Sequence, residues 1–365
     1  MAKKKSGNVL TRIIAGANIG SVIAMLIVGY SYYANPEAFP KFATVGLFFP
    51  FFVIINIAFL IFWFFVKKKY LLISVAGFIA CAVPIRTYCP LNFPTSVPED
   101  AIKVLTYNTL WYGQNKYDED GKNEVIEYIK DVDADIVCLQ EANSPTIRLW
   151  DMKETLDKYK YFSVDVTGDK DLTDILTISK YPIIKFYKLP MESTGNGAMA
   201  FWLDMGKDTV IVVNCHLESY QFTHDEKEEY KNVLRDLRDY NIEGSELKSE
   251  SKKIINKISE ATVPRSGQAR TLAEFIRENK DESIIVCGDF NDNPISYTHH
   301  TIASELTDCF VASGNGIGIS YNEKGFAVRI DNILCSKDWT PYDCKVDSKI
   351  TASDHYPMIC HLKKD

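Results

Sequence analysis

The chain has 365 residues, of which 46% are apolar and 24% charged, with a formal net charge of −7. That composition belongs to a folded protein and excludes a disordered, collagen-like or disulfide-stapled miniature class. Nine cysteines without a CxxC pair also argue against a zinc ribbon.

The average hides a split. Residues 1–98 carry nine Lys/Arg and one acid, Glu37, for +8; the remainder carries 32 basic and 47 acidic residues, for −15. In the first part, Ile13–Tyr33 is a run of 21 residues without charge and Phe42–Val66 one of 25. Each is long enough to cross a hydrocarbon core of roughly 30 Å. Tyr70–Ile85 is a third uncharged run of 16 residues, short for a span and also compatible with a buried or interfacial helix. A second span after the first argues against a cleaved signal peptide. The sequence therefore predicts a transmembrane region over 1–86, with spans at about 13–33, 42–66 and 70–85.

Basic residues set the expected orientation. Lys3, Lys4, Lys5 and Arg12 precede the first span, and Lys67, Lys68 and Lys69 follow the second. The positive-inside rule puts both clusters in the cytoplasm. With three crossings the rest of the chain lies outside it. The expectation is a multi-pass integral membrane protein with an extracytoplasmic catalytic domain. Residues 87–99, which include TYCPLNFPTSVP, read as a linker, and 100–365 as one domain long enough to bury a full core.

That domain mixes strands and helices. Strand-like apolar runs lie at Ile102–Tyr107, Asp135–Leu139, Ile175–Ser179, Pro182–Tyr187, Ala198–Leu203, Thr209–Cys215, Ser283–Cys287, Arg329–Leu334 and Pro357–Leu362. Ile175–Ser179 and Pro182–Tyr187 flank a Lys-Tyr turn. Amphipathic helices are predicted at Asn123–Val132 and Gln268–Asn279, and the charged stretch 224–260 reads as mostly helical with a break at Tyr240–Ser245. Many strands with few helices between them fit two packed sheets with outer helices. Cys138, Cys215 and Cys287 read as buried thiols, whereas Cys89, Cys309, Cys335, Cys344 and Cys360 leave room for a pair.

Polar residues gather where apolar runs end. Asn108 follows IKVLTY; Gln140 and Glu141 follow DIVCL; Asn214 and His216 close TVIVVNCH. Asp289, Asn291 and Asp292 follow SIIVCG, Asp331 sits in RIDNIL, and Asp354 and His355 precede YPMICHL. One such residue is most simply a turn or cap. The whole ordered set points to groups delivered to a common rim.

The segments LTYNTLW (105–111), DADIVCLQE (133–141), ISKYPI (178–183), VVNCHLES (212–219), GDFNDNP (288–294), RIDNIL (329–334) and SDHYPM (353–358) resemble those of the endonuclease/exonuclease/phosphatase family of deoxyribonuclease-like, metal-dependent phosphoesterases. GDFN with a downstream SDH is the most specific part. The resemblance implies a four-layer α/β sandwich, two mixed β-sheets flanked by helices. It implies Glu141 as the principal metal carboxylate, with Asn108 and Asp354 completing or flanking the metal site. Such oxygen ligands suit Mg²⁺, or Mn²⁺, rather than zinc. It implies His355 as general base paired with Asp331, Asp289 as the carboxylate that positions water, Asn291 as a transition-state donor, and His216 as a second histidine near the scissile phosphate.

The residues support that chemistry on their own terms. A phosphate ester is anionic and repels hydroxide; a divalent cation offsets that charge and a positioned base makes water competent. The segment TDILTISKYPI departs from the family pattern at Asp174 and Thr177, so no phosphate contact is assigned to it. Residues 220–267 read as a charged insertion, either a solvated helical face or a substrate selector. The acidic domain lacks a basic stripe interleaved with aromatics, which weakens a nucleic-acid reading. The leading expectation is a membrane-anchored hydrolase of a small or lipid-headgroup phosphate ester. The alternatives are a membrane-anchored nuclease acting on DNA or RNA, and an inactive binding module of the same fold. No protein partner is legible.

Overall fold

A computed structural model describes residues 2–143, 149–164, 175–193, 197–220, 244–323 and 326–365. The chain opens with a helical region: α1 (Ala2–Gly29), α2 (Phe49–Val66), α3 (Leu71–Ala80) and α4 (Ala82–Tyr88). Two helical stretches, Val9–Gly29 and Pro40–Val66, are long and apolar enough to cross a membrane. The third predicted span is a helix broken at Cys81: its two parts meet at a bend of 63°. Pro84, in the first turn of α4, cannot donate the hydrogen bond that would continue α3 through the break.

A buried polar knot joins α1, α2 and α3. Asn18 Oδ1 accepts from Trp63 Nε1 at 2.9 Å and from Ser74 Oγ at 3.2 Å, and Asn18 Nδ2 donates to Asn56 Oδ1 at 3.3 Å. Asn56 in turn donates to Ser21 Oγ at 2.9 Å. Asn56 Nδ2 also donates to the Phe52 carbonyl at 2.9 Å, and in apolar surroundings these bonds fix how the helices pair.

From Ile102 onward the strands form two six-stranded mixed sheets. The strands of the first are β1 (Ile102–Asn108), β2 (Ile136–Gln140), β3 (Tyr161–Phe162), β4 (Ile175–Ser179), β13 (Trp339–Val346) and β14 (Met358–Lys364), in the order β13-β14-β1-β2-β4-β3. The second runs β5-β6-β7-β8-β12-β9, from β5 (Ile183–Lys188), β6 (Gly197–Asp204), β7 (Thr209–His216), β8 (Ser283–Asp289), β9 (Thr307–Asp308) and β12 (Asp331–Cys335). A short hairpin, β10 (Tyr321–Glu323) and β11 (Phe326–Val328), stands outside both. Among the described residues, only β1·β2 and β7·β8 pair in parallel.

Strand parity divides the side chains among three cores. Ile102 and Val104 of β1, Ile136 and Cys138 of β2, Val210 and Val212 of β7, and Ile285 and Cys287 of β8 fill the space between the sheets. Their alternates on the first sheet, such as Leu105, Tyr107, Val137 and Leu139, pack under α5 (Glu124–Val132) and α6 (Leu149–Thr155). Those on the second, such as Ile211, Val213 and Val286, pack under α7 (Gly244–Glu278). The result is the expected four-layer sandwich. All nine cysteines are free, and all but Cys89 are buried.

The two runs that flank the Lys-Tyr turn, β4 and β5, lie in different sheets, and Lys180–Pro182 carries the chain across. One expectation is corrected: Gln268–Asn279 is not a separate helix, because α7 is one helix of 35 residues running through Pro264. Residues 221–243 of the charged insertion, and Asp174, lie outside the described residues.

Replacing Asn18 by Leu would orphan Trp63 Nε1 and Ser74 Oγ in an apolar environment. The expected loss is about 1 kcal/mol, read as a lowered unfolding midpoint of the full chain in detergent; an unchanged midpoint would contradict the role of the knot.

Candidate active site

The inward rows of both sheets turn polar at one end. In β1 the inward parity continues from Ile102 and Val104 to Thr106 and Asn108; in β7 it continues from Val210 and Val212 to Asn214 and His216. In β8 the row ends at Asp289, and β12 begins on the same face with Asp331, opposite Asp289 in the antiparallel register. The sequence therefore delivers Asn108, His216, Asp289 and Asp331 to a single seam between the sheets.

Directly beneath lies a second polar layer. Gln140 Nε2 donates to Asn214 Oδ1 across the sheets at 2.7 Å, and Asn214 Nδ2 reaches Thr177 Oγ1 at 3.1 Å and the carbonyls of Leu139 and Leu176. Thr177, which departs from the family pattern, is buried and serves this layer. Gln140 and Asn214 thus brace the seam.

Glu141 follows β2 with φ 48°, and Asn291 follows β8 with φ 52°. Left-handed backbone in such residues costs of order 1–3 kcal/mol and persists where surroundings impose it. At Glu141 the surroundings are a turn from Leu110 to Asn115 that is itself left-handed, with φ between 47° and 68°. Trp111 N and Thr109 Oγ1 from this turn both donate to the Glu141 carbonyl at 2.9 Å. At Asn291 the clamp is its own N–H to Asp289 Oδ1 at 2.7 Å, with its side-chain Nδ2 donating to the Leu217 carbonyl at 2.8 Å. Gly288 precedes Asp289 because a Cβ there would sit 1.8 Å from the Cys215 carbonyl of β7.

Asp289 is the hub. It is 1% exposed, and its Oδ2 accepts from Asn108 Nδ2 at 3.2 Å while lying 3.8 Å from His216 Nε2 and 3.7 Å from His355 Nε2. Asn108 Nδ2 also reaches Glu141 Oε1 at 3.1 Å. His355 Nδ1 meets Asp331 Oδ2 at 2.9 Å. Asp331 is held at its own N–H by Ser320 Oγ at 3.0 Å, and Ser353 Oγ secures both the His355 N–H, at 3.1 Å, and the Asn108 carbonyl, at 2.8 Å. Asp354 flanks the rim, half-buried, with Oδ1 at 3.5 Å from Ser353 Oγ.

Burial, and then the charge of Asp331, push the Asp289 carboxyl up to about 7. Burial alone would push the His355 ring down, but Asp331 and Asp289 outweigh it and hold the ring up at about 10. Burial and the charge on His355 hold His216 down at about 4, so its approaches to Asp289 and Glu141 are contacts of a neutral ring rather than ion pairs. Two atoms facing this region, His216 Nδ1 and Asp331 Oδ1, have no hydrogen-bond partner among the described residues.

The seam thus concentrates carboxylates with few cations. Asp289, Asp331 and His355 each bring a ligand atom within 4.8 Å of the others. Beside this group Asn108 Nδ2 bridges Glu141 Oε1 and Asp289 Oδ2, and carboxylate oxygens of this kind are hard donors that suit a divalent cation. All eight residues predicted from the sequence lie at this rim. The sequence reading did not single out Ser320, Ser353 or Arg265. Arg265 is a fully buried arginine of α7 whose Nε donates to the Glu218 carbonyl at 2.7 Å, with Nη1 3.3 Å from Asp292 Oδ2. Serines in loops and an arginine in a charged insertion carry no signal that separates them from surface residues.

In the metal-free chain, Asp331→Asn removes the charge that favours the His355 imidazolium. The His355 midpoint should fall by about one unit or more, measured by NMR titration of the ring; an unmoved midpoint would contradict the coupling.

Family comparison agrees with this geometry. Residues 105–355, more than half of the chain, match the model of the Endonuclease/Exonuclease/phosphatase family. Residues 11–88 match a domain of unknown function (DUF8431). No curated protein matches. Among solved structures, the chain is similar to TDP2 from D. rerio humanized by 14 mutations, at 14% identity and TM-score 0.49 over 72% of this chain and 99% of that one. It is similar to the human Nocturnin catalytic domain with bound sulfate, at 16% identity and TM-score 0.49 over 74% and 97% of the two chains. It is also similar to sphingomyelinase C from Streptomyces griseocarneus, at 17% identity and TM-score 0.45 over 72% and 99%. With the full motif set gathered on one seam and a family match that spans both sheets, the chain belongs to the Endonuclease/Exonuclease/phosphatase family of phosphoesterases.

Proposed function

We propose that the protein is a membrane-anchored, Mg²⁺-dependent phosphoesterase that hydrolyses a small or lipid-headgroup phosphate ester. The observation that carries this reading is the buried Asp331–His355 pair beside Asp289, with Glu141 joined to the same hub through Asn108. Glu141, Asn108 and Asp354 would hold the cation, which when bound supplies positive charge to offset the phosphate and the carboxylates.

The protein's own groups do the rest. Asp331 fixes the proton of His355 on Nδ1 and leaves Nε2, 3.7 Å from Asp289 Oδ2, to take a proton from water. Without a cation the surrounding acids keep that ring protonated. Compensation of the carboxylate charge lowers its proton affinity toward the range a base needs near neutral pH. Asp289 orients the water. Asn291 uses one amide hydrogen on Leu217 and retains a second for a phosphate oxygen. His216, neutral and buried, offers a ring N–H to the developing charge without adding a cation that would compete for the site.

The anchor is read as 1–86, the linker as 87–99 and the catalytic domain as 100–365. An extracytoplasmic catalytic domain is supported by the antiparallel helices. Phe49 at the start of α2 and Tyr88 at the end of α4 meet as tilted rings with centroids 6.0 Å apart, near the end of α1. Lys67–Lys69 follow the opposite end of α2. An excess of 15 acidic charges beyond residue 98 favours a small or lipid-linked ester over a nucleic acid.

The full chain, reconstituted in phospholipid vesicles with Mg²⁺, should hydrolyse phospholipid or phosphoinositide headgroups in preference to plasmid or RNA. Preferential cleavage of nucleic acid would overturn the substrate reading, and activity that survives chelator would overturn the metal. Glu141→Ala should nearly abolish turnover and weaken Mg²⁺ binding. His355→Ala should cost about 10²–10⁴ in kcat. Combined with Asp331→Asn it should be scarcely worse than the poorer single variant, since groups acting as a unit are non-additive; fully additive losses would separate the two residues.

A further inference from the structure

Two segments that carry rim residues each bury one side chain in the end of the helical region. Ile295, four residues beyond Asn291, is 1% exposed and lies in an apolar cluster with Met25, Val28, Tyr32, Phe49 and Cys81. Around it, the His300 ring packs on Tyr32 and Tyr33 at centroid distances of 4.5 and 5.2 Å, and Arg270 of α7 pairs with Glu37. A Cβ on Gly46 would stand 3.4 Å from both Asn293 Oδ1 and the Ile295 carbonyl, so the backbones are in close approach.

Arg329 is the second contact. It precedes Asp331 by two residues and is 1% exposed. Its Nη2 donates to the Thr87 carbonyl at 2.7 Å, in the last turn of α4. The guanidinium lies 4.4 Å over the Phe310 ring, and Asp308 Oδ2, which His299 Nε2 meets at 2.9 Å, is 3.9 Å away. Nε and Nη1 have no hydrogen-bond partner among the described residues, and burial pushes the group below its ordinary value. A buried cation so sparsely compensated depends on each acceptor it has. The last carbonyls of a helix lack intrahelical partners and carry its negative dipole end, so Thr87 and Arg329 satisfy each other.

The contact is short-wired to the site. The Ile330 carbonyl accepts from Phe290 N at 2.9 Å, next to Asp289, and Ser320 Oγ takes both the Ile330 and Asp331 N–H groups at 3.0 Å. A shift at residue 329 therefore reaches Asp331 and the Asp289–Asn291 segment together.

We propose that the end of the helical region is a working part of the active site, with Arg329 on Thr87 positioning Asp331 and Ile295 in the apolar cluster positioning Asn291. The catalytic domain is then docked on its anchor rather than hung from it. Arg329 and Ile295 are positioning residues, since neither touches substrate. The inference rests on the catalytic reading above and adds that turnover depends on the helices.

Residues Pro94 to Val97 are exposed and lack regular structure, so a specific protease site can be placed between Thr95 and Ser96 of the full chain. After cleavage in vesicles, the catalytic fragment should sediment with the membrane through a high-salt wash and keep its kcat. The full chain carrying Ile295→Ser and Arg329→Met should lose at least tenfold in kcat before cleavage, with a cooperative melting transition and an unchanged KM. Its fragment should be released by the cut. Arg329→Lys, which keeps a charged donor, should restore part of the kcat. Release of the unmutated fragment with kcat intact would overturn the proposal, as would an unchanged kcat in the double variant. Should the unmutated chain hydrolyse no ester at all, the catalytic reading fails, while sedimentation still reports whether the docking exists.

Discussion

The arrangement depends on a carboxylate, Asp289, held between two sheets and only 1% exposed. Its position follows from strand parity: the row that places Ile285 and Cys287 in the inter-sheet core must place Asp289 there too. A charge so buried is costly unless other groups meet it. Asn108 from the facing sheet, the two histidines and the N–H of Asn291 converge on it for that reason. Even so the balance stays negative, and burial with Asp331 keeps the carboxyl at about 7. The seam is built to receive positive charge, which is what a hydrolase of anionic esters needs at the point of attack.

Hydrogen bonds brace the hub from the layer below and from the neighbouring loop. Gln140 and Asn214 bond across the sheets one layer below, and Ser353 ties the His355 loop to the end of β1. Left-handed backbone at Glu141 and Asn291 shows that these loops are held against local preference. Hydrogen bonds to neighbouring backbone and side chains sustain that conformation.

Much of this was legible in the sequence. The apolar runs located most central strands, and the polar residues that end them named the rim, because a buried strand has few reasons to finish in Asp, Asn or His. Parity was not legible, since both faces of these strands are buried and the runs read as continuous. That is why the sequence could list Asn108, His216, Asp289 and Asp331 without showing that they share a face. Sheet membership around Lys180–Pro182 was hidden for a related reason: two apolar runs around a short turn look alike whether they pair or cross between sheets. The charged stretch and Gln268–Asn279 read as separate helices, yet α7 runs through Pro264, where packing on the second sheet outweighs one missing hydrogen bond. The buried arginines were invisible, because their partners are backbone carbonyls distant in sequence.

In the proposed reaction, water activated at this seam attacks phosphorus and a divalent cation is required. Turnover of a cleaved phosphate ester by the full chain in water enriched in heavy oxygen tests it most directly. The expected result is one heavy oxygen in each phosphoryl product, none in the alcohol, and no incorporation when Mg²⁺ is removed by chelator. Heavy oxygen in the alcohol, or incorporation that persists without the cation, would contradict it.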